Sequence, residues 1–213
     1  MELRAVRRLA SESADLPLRP ELEGTRERIL TAALRLFAEH GFEGVSIRDI
    51  AAAAQIQSAS LYFHFTNKER ILAELTYLGH EEHHNALVHA LVAAGSTPSD
   101  QLVALVRTHV LVHCRYPTLA VVANNELHAL SAEAGGPTMA LRGQSERLLL
   151  EVLQRGSAQG DFSLVHLEAT AAAISAMGLR VCHWYPSERV ALSPEELAQT
   201  YAELALRMVG AQA

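Results

Sequence analysis

Between Ser46 and Phe65 the chain reads SIRDIAAAAQIQSASLYFHF, and its outward residues are suited to one chemistry, the noncovalent reading of base edges. Ser58, Ala59, Ser60 and Tyr62 form a small or hydrogen-bonding surface that fits a DNA major groove closely. Arg48 and Gln57 stand beside that surface, and His64 and Lys68 follow it. Lys68 is the only lysine in the chain, and an ammonium there suits phosphate. Histidines make a second group. His80, His83 and His84 are interleaved with Glu81 and Glu82, His109 and His113 are four residues apart, and His128 lies near Glu126. A pair at i, i+4 shares a helical face and ligates a transition metal if a third ligand converges. Sequence does not fix that convergence, so polar pocket lining or solvent-exposed imidazoles are the main expectation for these residues, with no metal and no cofactor assigned. The chain carries no Gly-rich phosphate loop, no G-x-S-x-G and no C-x-x-C, and no catalytic residue is assigned.

The elements that position the groove-reading residues are two short helices. Ser46 caps the first, with Asp49 completing an S-x-x-D box, and Ile47, Ile50, Ala51 and Ala54 recur at helical spacing on one face. Gln55-Ile56-Gln57 breaks this helix, with Ile56 as a buried anchor. A second helix starts near Ser58 and turns Leu61 and Phe65 inward. Together they predict a helix-turn-helix. A preceding helix over 25–40 buries Ile29, Ala33, Leu36 and Phe37 and stops at Gly41. Further helices are predicted over 68–93, 98–115, 118–133, 138–159 and 164–184, with breaks at Gly95-Ser96-Thr97-Pro98, Pro117, Gly135-Gly136-Pro137, Gly160 and Pro186. Ser193-Pro194-Glu195-Glu196 starts a last helix with a cap, a first-turn proline and acids at the positive end. With no sustained period-2 run, the expected fold class is all-α.

Composition sets limits. The 213 residues are 49% hydrophobic and 5% aromatic, enough for a sizeable helical core. No run of 18 apolar residues and no apolar signal core are found, so no membrane partner and a cytoplasmic location are expected. Cys114 and Cys182 lie far apart in apolar segments, which predicts two buried free thiols. A net charge of −6 argues against a nonspecific nucleic-acid binder. That charge is unevenly placed: residues 1–70 hold ten basic and ten acidic side chains, residues 71–213 eight and fourteen. Residues 1–24, with Arg4, Arg7, Arg8 and Arg19 and then Pro17 and Pro20, predict a loose extension, with a DNA-reaching arm as an alternative.

Residues 25–70 resemble the DNA-binding domain of the TetR/AcrR family of bacterial transcriptional regulators. The matching residues are Thr25-Arg26-Glu27-Arg28-Ile29-Leu30, Ala32-Ala33, Leu36-Phe37, Gly41-Phe42, Ser46, Arg48-Asp49-Ile50-Ala51, Leu61-Tyr62, His64-Phe65 and Asn67-Lys68-Glu69. One departure is plain: Gln55 stands where the family usually has Gly in the turn. The resemblance implies an N-terminal three-helix DNA-binding domain over 25–67 and a C-terminal helical ligand-binding and dimerisation domain over 68–213. It places operator contacts at Thr25, Ser46, Arg48, Gln57, Ser58, Ala59, Ser60, Tyr62, His64 and Lys68. It also implies a homodimer pairing its last two helices, which carry Ala169, Ala172, Ala173, Ala176, Leu179 and Val181, then Leu197, Tyr201, Leu204, Ala205 and Met208, on a palindromic operator. An effector pocket is implied between the helices over 68–159. Glu126 to Ser131, Arg142, Gly160-Asp161-Phe162, Trp184-Tyr185-Pro186 and Leu192 to Glu196 are similar to acyl-CoA-responsive members. On that basis a small apolar effector, an acyl-CoA or related acid, is expected at His109, His113, Asn124, His128, Arg142, Arg147, Met177 and Trp184. The function implied is repression relieved by ligand; a metal-responsive regulator using the histidines, and an all-helical enzyme, are the alternatives.

Overall fold

The computed structural model describes residues 14–20, 22–186 and 190–211. Arg4, Arg7 and Arg8 of the predicted extension lie outside them. The described elements are α1 (Thr25–His40), α2 (Ile47–Ala53), α3 (Ser58–His64), α4 (Lys68–Ala93), α5 (Pro98–Arg115), α6 (Pro117–Asn125), a 3-10 turn (Leu127–Ala129), α7 (Ala132–Gln159), α8 (Leu167–Leu179), a second 3-10 turn (Val181–His183) and α9 (Pro194–Met208). They gather into two compact units. One comprises residues up to Glu81 together with Tyr116–Met139, the other Glu82–Arg115 with Ala140 onward. Among the described residues, no helix is long and apolar enough to cross a membrane.

In the first unit the predicted Ile29, Ala33, Phe37, Ile50, Ala51, Ala54, Leu61 and Phe65 are buried, and Leu30, Leu34, Ile71, Leu72 and Leu75, not singled out in the sequence, complete the core. Leu36 and Ile56, expected inward, are only half-buried. The box at α2 forms in full, with the Ser46 N–H donating to Asp49 Oδ2 at 2.8 Å and the Asp49 N–H to Ser46 Oγ at 3.2 Å. Gln55 takes the left-handed conformation that the turn demands, at φ 56°. Gly79 lets α4 approach α6, since a Cβ there would stand 3.1 Å from that of Ala123. Of the N-terminal extension, Ala14, Pro17 and Leu22 are buried and Arg19 pairs with Glu81 at 3.1 Å, so this part packs and is not a loose arm.

In the second unit α5 packs against α9 and α8. Leu102, Leu105, Val106, Leu153, Phe162, Ile174, Ala202, Ala205 and Val209 form one cluster, and Val110, Val181, Leu197 and Ala198 a second. Gly156 makes room for Phe162, whose ring a Cβ would overlap. The last helix starts as predicted, with Ser193 and Glu196 in a reciprocal cap and Pro194 in the first turn.

Three boundaries differ from expectation. The helix predicted over 118–133 ends at Asn125, because the Glu126 carboxylate accepts from the Phe42 N–H at 3.2 Å and the chain tightens into the 3-10 turn. The break predicted at Gly135-Gly136-Pro137 does not occur. Glu69 accepts from the Ser131 N–H at 2.8 Å and Ser131 Oγ accepts from Ala134, so α7 starts at Ala132 with Pro137 inside it. The carbonyl that Pro137 cannot serve, that of Glu133, belongs to an exposed residue near the helix start, where water can satisfy it. The helix predicted over 164–184 is shorter. The Ser163 N–H donates to the Val209 carbonyl at 2.8 Å, α8 begins only after His166, and residues 181–183 form a separate 3-10 turn.

Candidate functional site: a nucleic-acid interface and a histidine cluster

The inward faces of α2 and α3 hold Ile50, Ala51, Leu61 and Phe65, all buried, which fixes what the outer faces present. Arg48, Gln57, Ala59, Tyr62 and His64 are exposed, and Ser58 and Ser60 half-buried. Thr25 is half-buried at the start of α1 and its hydroxyl accepts from Arg28 at 3.1 Å. Ser46 is exposed but committed to its cap; its hydrogen bonds hold the Asp49 carboxyl below the usual carboxylate range. Arg26 is turned inward, paired with Glu74 and lying 4.5 Å from the Phe65 ring centre.

Lys68, where the family resemblance implies a phosphate contact, has partners within the chain. Its ammonium donates to the Phe42 carbonyl at 2.7 Å and the Val45 carbonyl at 2.9 Å, and lies 4.1 Å from the centre of the Phe42 ring. It therefore joins the start of α4 to the loop before α2. Sequence reasoning missed Phe63. Its side chain is 90% exposed on α3, an unusual place for a large apolar ring and one suited to a thymine methyl. The signal lay in the string itself: with Leu61 and Phe65 inward, position 63 must face out.

Of the effector candidates, the structure brings together only His109 and His113, and it adds His83. His83 Nε2 lies 2.7 Å from His109 Nδ1. His109 Nε2 is 3.0 Å from the Ser175 carbonyl, and His113 Nδ1 is 2.7 Å from the His109 carbonyl. A carbonyl only accepts, so His109 carries its proton on Nε2 and His113 on Nδ1. Burial holds His109 below the ordinary histidine pKa, which keeps it neutral. Gly178 of α8 makes the space for this ring, which a Cβ at that position would overlap.

The other candidates do not join this group. Arg142 and Arg147 are exposed on α7. Met177 packs against the larger core cluster, and Trp184 against the smaller one with Tyr185 edge-on at 6.0 Å. In the first unit, the Asn124 amide donates to the Ala120 carbonyl at 2.8 Å, and His128 is exposed. A cleft of about 820 Å³ in that unit is lined by Arg26, His64, Arg70, Tyr77 and Thr138 among others, and by none of the effector candidates. Residues 80–84, His-Glu-Glu-His-His, also satisfy the H-E-x-x-H pattern of zinc hydrolases. The structure uses two of them otherwise: Glu81 pairs with Arg19, and His84 Nδ1 bonds Ser145 Oγ at 3.1 Å. Cys114 and Cys182 are free thiols, which burial pushes up to about 11 and about 12.

Comparison with known proteins agrees with this architecture. Residues 29–75 match the family described as bacterial regulatory proteins, tetR family, and residues 95–209 match the tetracyclin repressor-like C-terminal domain. The HTH-type transcriptional repressor KstR2 of Rhodococcus jostii is 31% identical over 140 residues, 65% of this chain and 68% of that one. The crystal structure of a tetR-family bacterial regulatory protein from Rhodococcus RHA1 superposes with a TM-score of 0.83 at 30% identity, covering 90% of this chain and all of that one. AibR, solved with isovaleryl coenzyme A and operator DNA, shares the fold with a TM-score of 0.77 at 24% identity, over 89% of this chain and all of that one. With its capped helix-turn-helix and all-helical C-terminal body, the chain belongs to the tetR family of DNA-binding transcriptional regulators and is not an enzyme.

Proposed function

We propose that this protein is a dimeric repressor which holds a palindromic operator and releases it on binding a small apolar effector, an acyl-CoA or a related acid. The observation that carries the DNA reading is the outer face of α2 and α3, where Arg48, Gln57, Tyr62 and Phe63 are exposed above a buried apolar backing. Such a face is what a recognition helix presents to the major groove. Two exposed apolar faces support the dimer: Ala169, Ala172, Ala173 and Ala176 on α8, and Leu204 and Met208 on α9. A two-fold dimer matches two reading heads to a palindrome.

The effector class draws support from AibR, which binds isovaleryl coenzyme A, and from Arg142 and Arg147, whose exposed guanidiniums suit the phosphates of a thioester. α4 runs unbroken from Lys68 to Ala93, and movement of this helix on ligand binding is the proposed route to weaker operator binding. A coupling of about 1–3 kcal/mol weakens operator binding up to about a hundredfold.

The test is a gel-shift titration on a palindromic fragment from the protein's own upstream region, with acyl-CoA thioesters of rising chain length. Potency is expected to rise with length, since each buried methylene contributes about 0.8 kcal/mol, and Arg142→Ala or Arg147→Ala is expected to blunt the response. Operator affinity unmoved by thioester or free acid at tens of micromolar would remove the effector reading and leave the DNA reading standing.

A further inference from the structure

The cluster of His83, His109 and His113 holds more order than polar pocket lining requires. The three come from two helices, α4 and α5, and their ring centres lie 4.6 to 5.6 Å apart. Each offers one nitrogen, and the three nitrogens lie within 4.8 Å of one another. Two of the rings are fixed from behind by backbone. The Ser175 carbonyl takes the Nε2 proton of His109, which leaves the Nδ1 lone pair facing His83. The His109 carbonyl takes the Nδ1 proton of His113, which puts that ring's lone pair on Nε2. A ring nitrogen held by a carbonyl, with the opposite nitrogen turned to a shared point, is how proteins orient histidine ligands toward a metal. Gly178 adds a third device, because any side chain there would drive the His109 ring out of place.

We propose that His83, His109 and His113 form a binding site for a divalent late transition ion, with Zn²⁺ as its natural class. Neutral imidazoles suit this class, and burial keeps His109 neutral. Tetrahedral zinc with bonds of about 2.0–2.1 Å needs ligand nitrogens roughly 3.4 Å apart. His83 and His109 must open slightly from 2.7 Å, with the metal taking the place of the proton between them, and the other separations, none above 4.8 Å, must settle near the same value. Small rotations of the rings supply both movements. On metal binding the neutral His83 ring changes tautomer, losing its Nε2 proton to solvent and taking one from solvent on Nδ1 with no net release, and the fourth position of the tetrahedron takes water. The site ties the second half of α4 to α5, and it stands independently of the effector reading.

The test uses full-length protein stripped with a chelator, dialysed, and titrated with Co²⁺. One equivalent per chain is expected, with the visible absorption of four-coordinate, nitrogen-ligated cobalt, and Zn²⁺ displaces it. His83→Gln and His109→Ala are each expected to weaken binding at least about tenfold, with circular dichroism confirming that the helices persist. Gly178→Ala, which removes no ligand, is expected to weaken it by moving the His109 ring. His89→Ala, an exposed histidine on the same helix, leaves binding unchanged. Two results would overturn the proposal: wild-type protein that takes up less than one equivalent at tens of micromolar metal, or undiminished binding in both His83→Gln and His109→Ala. The first leaves a hydrogen-bonded histidine cluster only, and the second moves the metal to other histidines.

Discussion

Lys68 has a structural role in the reading head that can be separated from any contact with DNA. Its ammonium satisfies the carbonyls of Phe42 and Val45 and rests on the Phe42 ring, so it fixes the approach to α2. Lys68→Ala is expected to lower stability by about 1–3 kcal/mol, the cost of leaving such acceptors without a donor. Thermal unfolding of the variant checks this, and an unchanged melt would mean that the two bonds contribute nothing. Gel shifts at several salt concentrations separate a second role. A phosphate contact would reduce the salt slope by about one unit, whereas a purely positioning lysine leaves the slope intact while affinity falls. The string Asn67-Lys68-Glu69 carries the family resemblance at this point, but the two carbonyl partners of Lys68 were not legible, since they lie 23 and 26 residues back. The histidine cluster has the same limit. The i, i+4 pair of His109 and His113 was visible in the sequence, but the arrival of His83 depends on how α4 and α5 pack. Gly178, a lone glycine in an alanine-rich helix, was the available hint of a ring seated against it.

Among the elements, the turn between α2 and α3 carries the clearest local strain. Gln55 holds φ at 56°, which costs an L-residue about 1–2 kcal/mol and costs glycine almost nothing. Glycine also adds unfolded-state entropy, which offsets roughly 0.4–1 kcal/mol of that relief. Gln55→Gly is therefore expected to raise stability by about 0.5 kcal/mol, read as a modest rise in the denaturant midpoint with an unchanged slope. A lower midpoint would show that the exposed Gln55 side chain contributes more than its backbone costs. This turn was legible because the break, the buried faces and the missing glycine all point to one conformation. The helices at 25–40, 68–93 and 98–115 were legible for similar reasons, with glycine or proline at their ends. The region from Pro117 to Gly136 was not. Its boundaries are set by Glu126 reaching Phe42 and Glu69 reaching Ser131, contacts 84 and 62 residues apart in sequence, and Pro137 is accepted once the helix start has been placed ahead of it.

At the scale of the whole molecule, the family and the exposed apolar residues bear on one expectation. Ala169, Ala172, Ala173 and Ala176 follow helical spacing on one side of α8, while Thr170, Ala171 and Ile174 face the core. Small side chains on an exposed face permit close helix approach, and Leu204 and Met208 remain 40% and 38% exposed on α9. A second copy of the chain placing its α8 and α9 there would bury them. Ala176→Arg tests this, because the residue is exposed in the single chain and the substitution leaves the monomer core untouched. An arginine at a close helix contact buries an unpaired charge, which costs several kcal/mol, on the order of 3–5, in dimer stability. Sedimentation at micromolar concentration is expected to show a dimer for the wild type and monomer for Ala176→Arg, with the monomer retaining its helical circular dichroism. Operator affinity is expected to fall with the dimer, since a single head contacts one half-site and loses the effective concentration that the second supplies. A wild type that is monomeric under these conditions, or a variant that stays dimeric, would place the interface elsewhere and detach the palindrome from the symmetry of α8 and α9.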